Sequence, residues 1–173
     1  MTNRTLHSLF GQKAWANAEL FQLLSTLPTE QNSAILHSAI RTLNHIYVVD
    51  RIFQAHLEGQ PHGYAFTNTE DTPLLDELGF SVAETDAWFK NYAETISESA
   101  LAKPIHFKFT DGDSGTMTCE EILLHVITHG AYHRGNVGQL LKSISVAPPR
   151  DLYTKFLHVS EPSRRQAPSV TTL

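Results

Sequence analysis

Three histidines recur one helical turn apart in the segment HVITHGAYH: His125, His129 and His133. Imidazole nitrogens bind first-row transition metals, and two histidines at i and i+4 on a helix can reach one ion. His125 and His133 lie about 12 Å apart along a helix axis, too far to share an ion easily. The surrounding apolar residues choose between the pairs. Measured from Ile122 at about 100° per residue, Val126, Val137, Leu140 and Ile144 fall within about 60° of one line. His129 and His133 fall about 20° to either side of that line, inside the apolar stripe, and His125 falls nearer its edge. A residue facing a core should be apolar unless it has a partner, because an unsatisfied buried polar group costs roughly 1–3 kcal/mol. An inward histidine can also be an ordinary hydrogen-bonded core residue, and HxxxH is a short pattern. The longer HExxH pattern is absent.

A metal held by this pair needs a third ligand from another helix. The segment ALHSAIRTLNHIYVVDRIF offers His45, on a stripe with Thr42, Val49 and Ile52 and near the middle of its helix. His37 and His56 lie nearer the ends. The expected site is therefore His45, His129 and His133. Three neutral imidazoles leave a coordination position open, the arrangement of catalytic rather than structural zinc. Such an ion could activate water or a cofactor thiol. Asp50 falls among Ile46, Val49 and Phe53 and needs a partner, for which Arg134 is the candidate. Asn17 lies on the inward stripe of the first helix. These three residues are candidates for supporting the imidazoles. Gly135 is expected to permit close approach of a neighbouring helix. Tyr47 and Tyr132 suit a pocket wall or packing. Trp15 lies off the inward stripe, for an interface or for packing under a connection. His7, His37, His56, His62, His106 and His158 read as surface or loop residues.

Four amphipathic segments must position these groups. The first spans roughly 3–26, with Leu6, Phe10, Asn17, Leu20, Phe21 and Leu24 on one stripe and Pro28 closing it. The second spans roughly 32–58 and stops at Gly59. The third spans roughly 82–101, with Ser81 and Glu84 at capping-box spacing and Pro104 at its end. The fourth spans roughly 119–144, with Thr118 and Glu121 as a second capping box and Pro148-Pro149 beyond. Residues 59–80 form a long crossover, and 105–117, turning at Asp111-Gly112, reads as a short β-hairpin. The fold class expected is all-α, a four-helix bundle. One domain is expected over 1–159, followed by a flexible polar tail over 160–173.

Composition narrows the function. The chain has 173 residues, a net charge of −5 and ten His beside 13 Lys+Arg. A mildly acidic chain without a basic run is poorly suited to nucleic acid. No apolar run approaches a membrane span, and the N-terminal residues lack the apolar core of a signal peptide. One cysteine, Cys119, excludes an internal disulfide framework and fits a reducing, cytoplasmic setting. Phosphate-loop, dinucleotide-binding and hydrolase-elbow motifs are absent.

The segments WANAEL (15–20), LNHIYVVDRIF (43–53) and HVITHGAYHRGNVGQLL (125–141), followed by APPRDL (147–152), resemble the DinB family of metalloenzyme-like proteins. The resemblance covers roughly residues 4–157, and His-Arg-Gly after the histidine pair is its specific part. It implies a four-helix bundle with up-down-down-up connectivity, a divalent metal on His45, His129 and His133, and a homodimer. It further implies a metal-dependent enzyme, such as an S-transferase using a low-molecular-weight thiol like bacillithiol or mycothiol, acting on a small-molecule substrate. Nickel and zinc are the expected metals. A metal-dependent hydrolase, a non-catalytic metal-binding or stress-response protein, and a plain helical interaction module are the alternatives. Asn136 stands where the family often has Gln, a change that would alter local hydrogen bonding.

Overall fold

A computed structural model describes residues 3–165. They form mainly helix with one two-stranded hairpin: α1 (Arg4–Ser25), α2 (Thr29–Glu58), α3 (Leu75–Thr95), α4 (Glu98–Leu101), β1 (Pro104–Lys108), β2 (Ser114–Thr118), α5 (Cys119–Ser143) and α6 (Tyr153–Ser160). Among the long helices, α1 packs chiefly on α3 and α2 on α5, while α2–α3 and α1–α5 contacts close the ring.

The helix ends follow local chemistry. Asn3 caps α1 by accepting from the Leu6 amide. Thr118 and Glu121 form the expected capping box at the start of α5. Gly59 ends α2 in the left-handed conformation, at φ 66°. Three boundaries differ from expectation. Helix α2 begins at Thr29, with Pro28 at its N-cap, and the expected start at Asn32 is instead a kink (φ −121°, ψ 18°). Helix α3 begins at Leu75, a turn and a half before the expected cap. Ser81 lies inside it, its hydroxyl donating to the Glu77 carbonyl one turn back at 3.0 Å. Asp76 and Glu77 supply the acidic first turn that a helix N-terminus favours. The helix stops at Thr95 because Ile96 is extended, and Ser97 then caps the separate short α4.

The hairpin forms as expected. Strands β1 and β2 pair antiparallel, His106 opposite Thr116 and Phe107 opposite Gly115. Gly112 carries the positive φ of the turn, at 98°. A helix that the sequence pattern did not suggest, α6, lies on α1. Its Phe156 packs against Trp15, and Lys155 sits 5.1 Å from that ring's centre. Trp15 is thus covered by α6 rather than by the 59–74 connection. Of the expected tail, residues 162–164 form a 3₁₀ turn after α6. Residues 166–173 lie outside the described residues.

Two apolar clusters fill the interior. One gathers Leu6, Phe10, Val49, Phe53, Phe89 and Ile122 beside the hairpin. The other gathers Leu20, Leu24, Leu43, Ile46, Val82 and Val137 at the opposite end. Between them lies a layer of charge. Lys13 is wholly buried, and its ammonium donates to Asp50 at 2.7 Å and to Asp86 at 2.5 Å. Asn17 donates to Asp86 at 2.7 Å and accepts from Arg134 at 3.3 Å. Arg134 also donates to Asp151 at 2.7 Å, and Gln12 donates to the same carboxylate.

Candidate metal centre

Helices α2 and α5 pack side by side, so inward residues at mid-height on each face one another. His45 comes from α2, and His129 and His133 come from successive turns of α5. One ring nitrogen from each lies within 4.8 Å of the other two. The Nε2 atoms of His45 and His129 are 3.0 Å apart. Ring centres are separated by 4.9 Å (His45–His129), 4.7 Å (His45–His133) and 4.5 Å (His129–His133). Among the described residues, no fourth His, Cys, Asp or Glu joins this group.

The tautomer of His45 follows from its neighbour. Its Nδ1 lies 2.7 Å from the Thr67 carbonyl, which can only accept, so Nδ1 carries the proton. The Nε2 lone pair is then aimed between the rings, as a ligand's would be. Thr67 belongs to the connection between α2 and α3, where no sequence pattern marks it. Burial, and then the neighbouring His133 and His45, push the His129 imidazole down to about 3. Burial and His45 lower His133. Both rings are therefore held neutral, the protonation state that ligates metal. Among the described residues, the Nδ1 of His129 is buried without a partner. His125 stacks on His129 with ring centres 5.3 Å apart and touches Phe53, but contributes no nitrogen to the group.

The candidates for supporting roles sit elsewhere. Asp50, Arg134 and Asn17 all belong to the buried charged layer, and among the described residues none hydrogen-bonds to a triad imidazole. The partner of Asp50 is Lys13, not Arg134, because α1 carries the ammonium between α2 and α3. Burial raises the Asp50 carboxyl to about 6, against the opposing pull of Lys13. Lys13 itself is raised, since the charges and hydrogen bonds of two carboxylates together outweigh its burial. Lys13 and Asp86 escaped the sequence reading although a signal exists. Lys13 falls in the heptad-like series Leu6, Phe10, Lys13, Asn17, Leu20, Leu24, where an apolar residue belongs.

Gly135 faces open space, whereas Gly130 makes the close approach. A methyl group at Gly130 would meet Arg134 Nη1 at 3.1 Å and Lys13 Cε at 3.3 Å. Tyr132 is exposed, its ring 5.0 Å from His133. His56 is not a plain surface residue. It stacks on Phe107 at 4.9 Å and lies edge-on to His62. A cavity of about 380 Å³ opens beside the triad, with His45 and His129 in its wall.

No helix among the described residues is long and apolar enough to cross a membrane. The family model "DinB family" matches residues 1–166. The curated relative "Protein DinB" of Bacillus subtilis (strain 168) is 24% identical over 166 residues, covering 88% of this chain and 94% of the relative. No solved structure matches. With a family match over nearly its whole length, and with the histidines of that resemblance drawn together in space, the chain belongs to the DinB family.

Proposed function

We propose that this protein is a divalent-metal-dependent enzyme whose ion is held by His45, His129 and His133. The observation that carries this reading is the convergence of three imidazole nitrogens within 4.8 Å without a fourth protein ligand among the described residues. Neutral rings and a fixed His45 tautomer present the unprotonated nitrogens that a metal requires. A three-histidine set leaves room for an exchangeable ligand, whereas a structural zinc site is closed by four. Nickel and zinc both suit imidazole. In this reading the four long helices form an up-down-down-up bundle, one domain over 1–159, that pairs as a cytoplasmic homodimer.

The reaction proposed is thiol-dependent S-transfer to a small molecule. A bound divalent ion would supply Lewis acidity, which favours the thiolate form of a coordinated thiol at neutral pH. The chain's own part is to hold the ligand nitrogens unprotonated and to fix the His45 ring through Thr67. Metal analysis of protein purified without a histidine tag tests the site. About one nickel or zinc per chain is expected, lost in His129→Ala and His133→Ala and retained in His125→Ala. Metal retained by the His129→Ala/His133→Ala double variant would sink the assignment. Turnover of an electrophile with bacillithiol, mycothiol or glutathione tests the reaction, and turnover independent of every thiol would replace transfer by hydrolysis.

A further inference from the structure

The cavity beside the triad carries information about what the site accepts. Helix α2 lines it with Val49, Ile52 and Phe53, and the hairpin with Phe107 and Met117. His45 and His129 form part of its wall, so the cavity borders two of the three triad residues. Its volume of about 380 Å³ lies within the usual range for small-molecule sites. No carboxylate lines it among the described residues, and the one formal charge is that of Lys108.

Its aromatic groups are arranged as rings that can accept another ring. Phe53 meets Phe107 edge-to-face at 5.7 Å, and His125 lies against Phe53 at 4.8 Å. Gly115 keeps the hairpin wall in place. A methyl group there would lie 2.8 Å from both the Phe107 and Phe109 rings. A sugar or phosphate in this space would surrender hydration to hydrocarbon, with few donors or acceptors to replace it. An aromatic ring loses nothing comparable and gains packing on every side.

We infer that the substrate class of this site is a small molecule bearing an uncharged aromatic group, which occupies the cavity while its reacting end lies toward His45 and His129. The inference rests on the reading of the triad as the reacting centre, and its test separates the two. Among the described residues Met117 is the one methionine, and it lines the cavity. Methyl-¹³C methionine labelling therefore places a reporter in the cavity wall. Titration with 2-naphthol should shift the Met117 methyl saturably, in chelator-treated and zinc-loaded protein alike. Glucose at the same concentrations should not shift it.

Val49→Phe fills the interior, and Thr67→Trp covers the cavity from an exposed position outside the buried core. Each should weaken 2-naphthol binding at least tenfold. An unmoved Met117 in the wild type, an equal response to glucose, or unchanged binding in both variants would overturn the inference. A chain that holds its ion while Met117 stays unmoved loses the cavity assignment and keeps the triad. A chain that takes 2-naphthol but holds no ion keeps the ligand class and loses the triad.

Discussion

At the scale of single residues, the chain buries an acid where water would be needed to ionise it cheaply. Asp50 lies 2% exposed, its Oδ2 on Lys13 and its Oδ1 without a partner among the described residues. Its hydrogen-bonding cation, Lys13, is shared with Asp86. Burial raises Asp50 from 3.8 to about 6. Between those two values the folded chain keeps a proton that the unfolded chain has released, so this residue's contribution to stability falls as pH rises. Two units correspond to about 3 kcal/mol, as an order of magnitude. In chelator-treated protein, Asp50→Asn should therefore gain on the wild type as pH rises from 4 to 7. Denaturant melts at each pH give the difference, and a constant difference would refute the assignment. The same scale shows how much of the site could be read beforehand. His45, His129 and His133 were legible because each interrupts an apolar stripe, and the structure draws their nitrogens together. Thr67 was not, because a carbonyl acceptor in a loop leaves no mark in sequence. Asp50 was legible as a buried acid, but its partner was not, since pairing depends on how α1 seats between α2 and α3.

At the scale of elements, α5 shows why two glycines in one helix play opposite parts. Gly130 faces α1, where Lys13 Cε would lie 3.3 Å from an added methyl group. A flexible lysine could normally move aside, but Lys13 is fixed by two carboxylates. Gly135 is exposed and meets nothing within 4 Å. Alanine in a helix is favoured over glycine by roughly 0.8–1 kcal/mol. Gly135→Ala should therefore stabilise the protein by about that amount. Gly130→Ala should destabilise it in spite of the same gain, and thermal melts of the two variants should move in opposite directions. Boundaries were read well where a side chain caps a helix, as at Thr118, or where a glycine ends one, as at Gly59. They were misread where a pattern was mimicked. Ser81 and Glu84 have the spacing of a cap inside a helix already under way, and the start at Leu75 has no side-chain cap. The eight-residue α6 escaped because its stability comes from contacts across the molecule, Phe156 on Trp15 and Gly11 and Lys155 on Glu19, rather than from its own length.

At the scale of the whole molecule, the charged layer divides the interior into the cluster beside the hairpin and the cluster at the other end. Each long helix crosses it once, through Lys13 and Asn17 on α1, Asp50 on α2, Asp86 on α3 and Arg134 on α5. Such a layer need not add net stability, because desolvating the charges offsets most of their attraction. It does penalise misregistered packing, since sliding one helix by a turn would leave a charge in hydrocarbon. Breaking the layer and neutralising it should therefore differ sharply. Lys13→Met fills the space of the side chain but leaves Asp50 and Asp86 buried without their cation, at a cost of about 3–5 kcal/mol. Adding Asp50→Asn and Asp86→Asn removes the stranded charges, and Asn17 keeps an oxygen acceptor at position 86. The triple variant should recover most of the loss in chemical denaturation. A triple variant no more stable than Lys13→Met would mean that the layer holds the helices together by direct attraction. Recovery would mean that desolvation offsets most of that attraction.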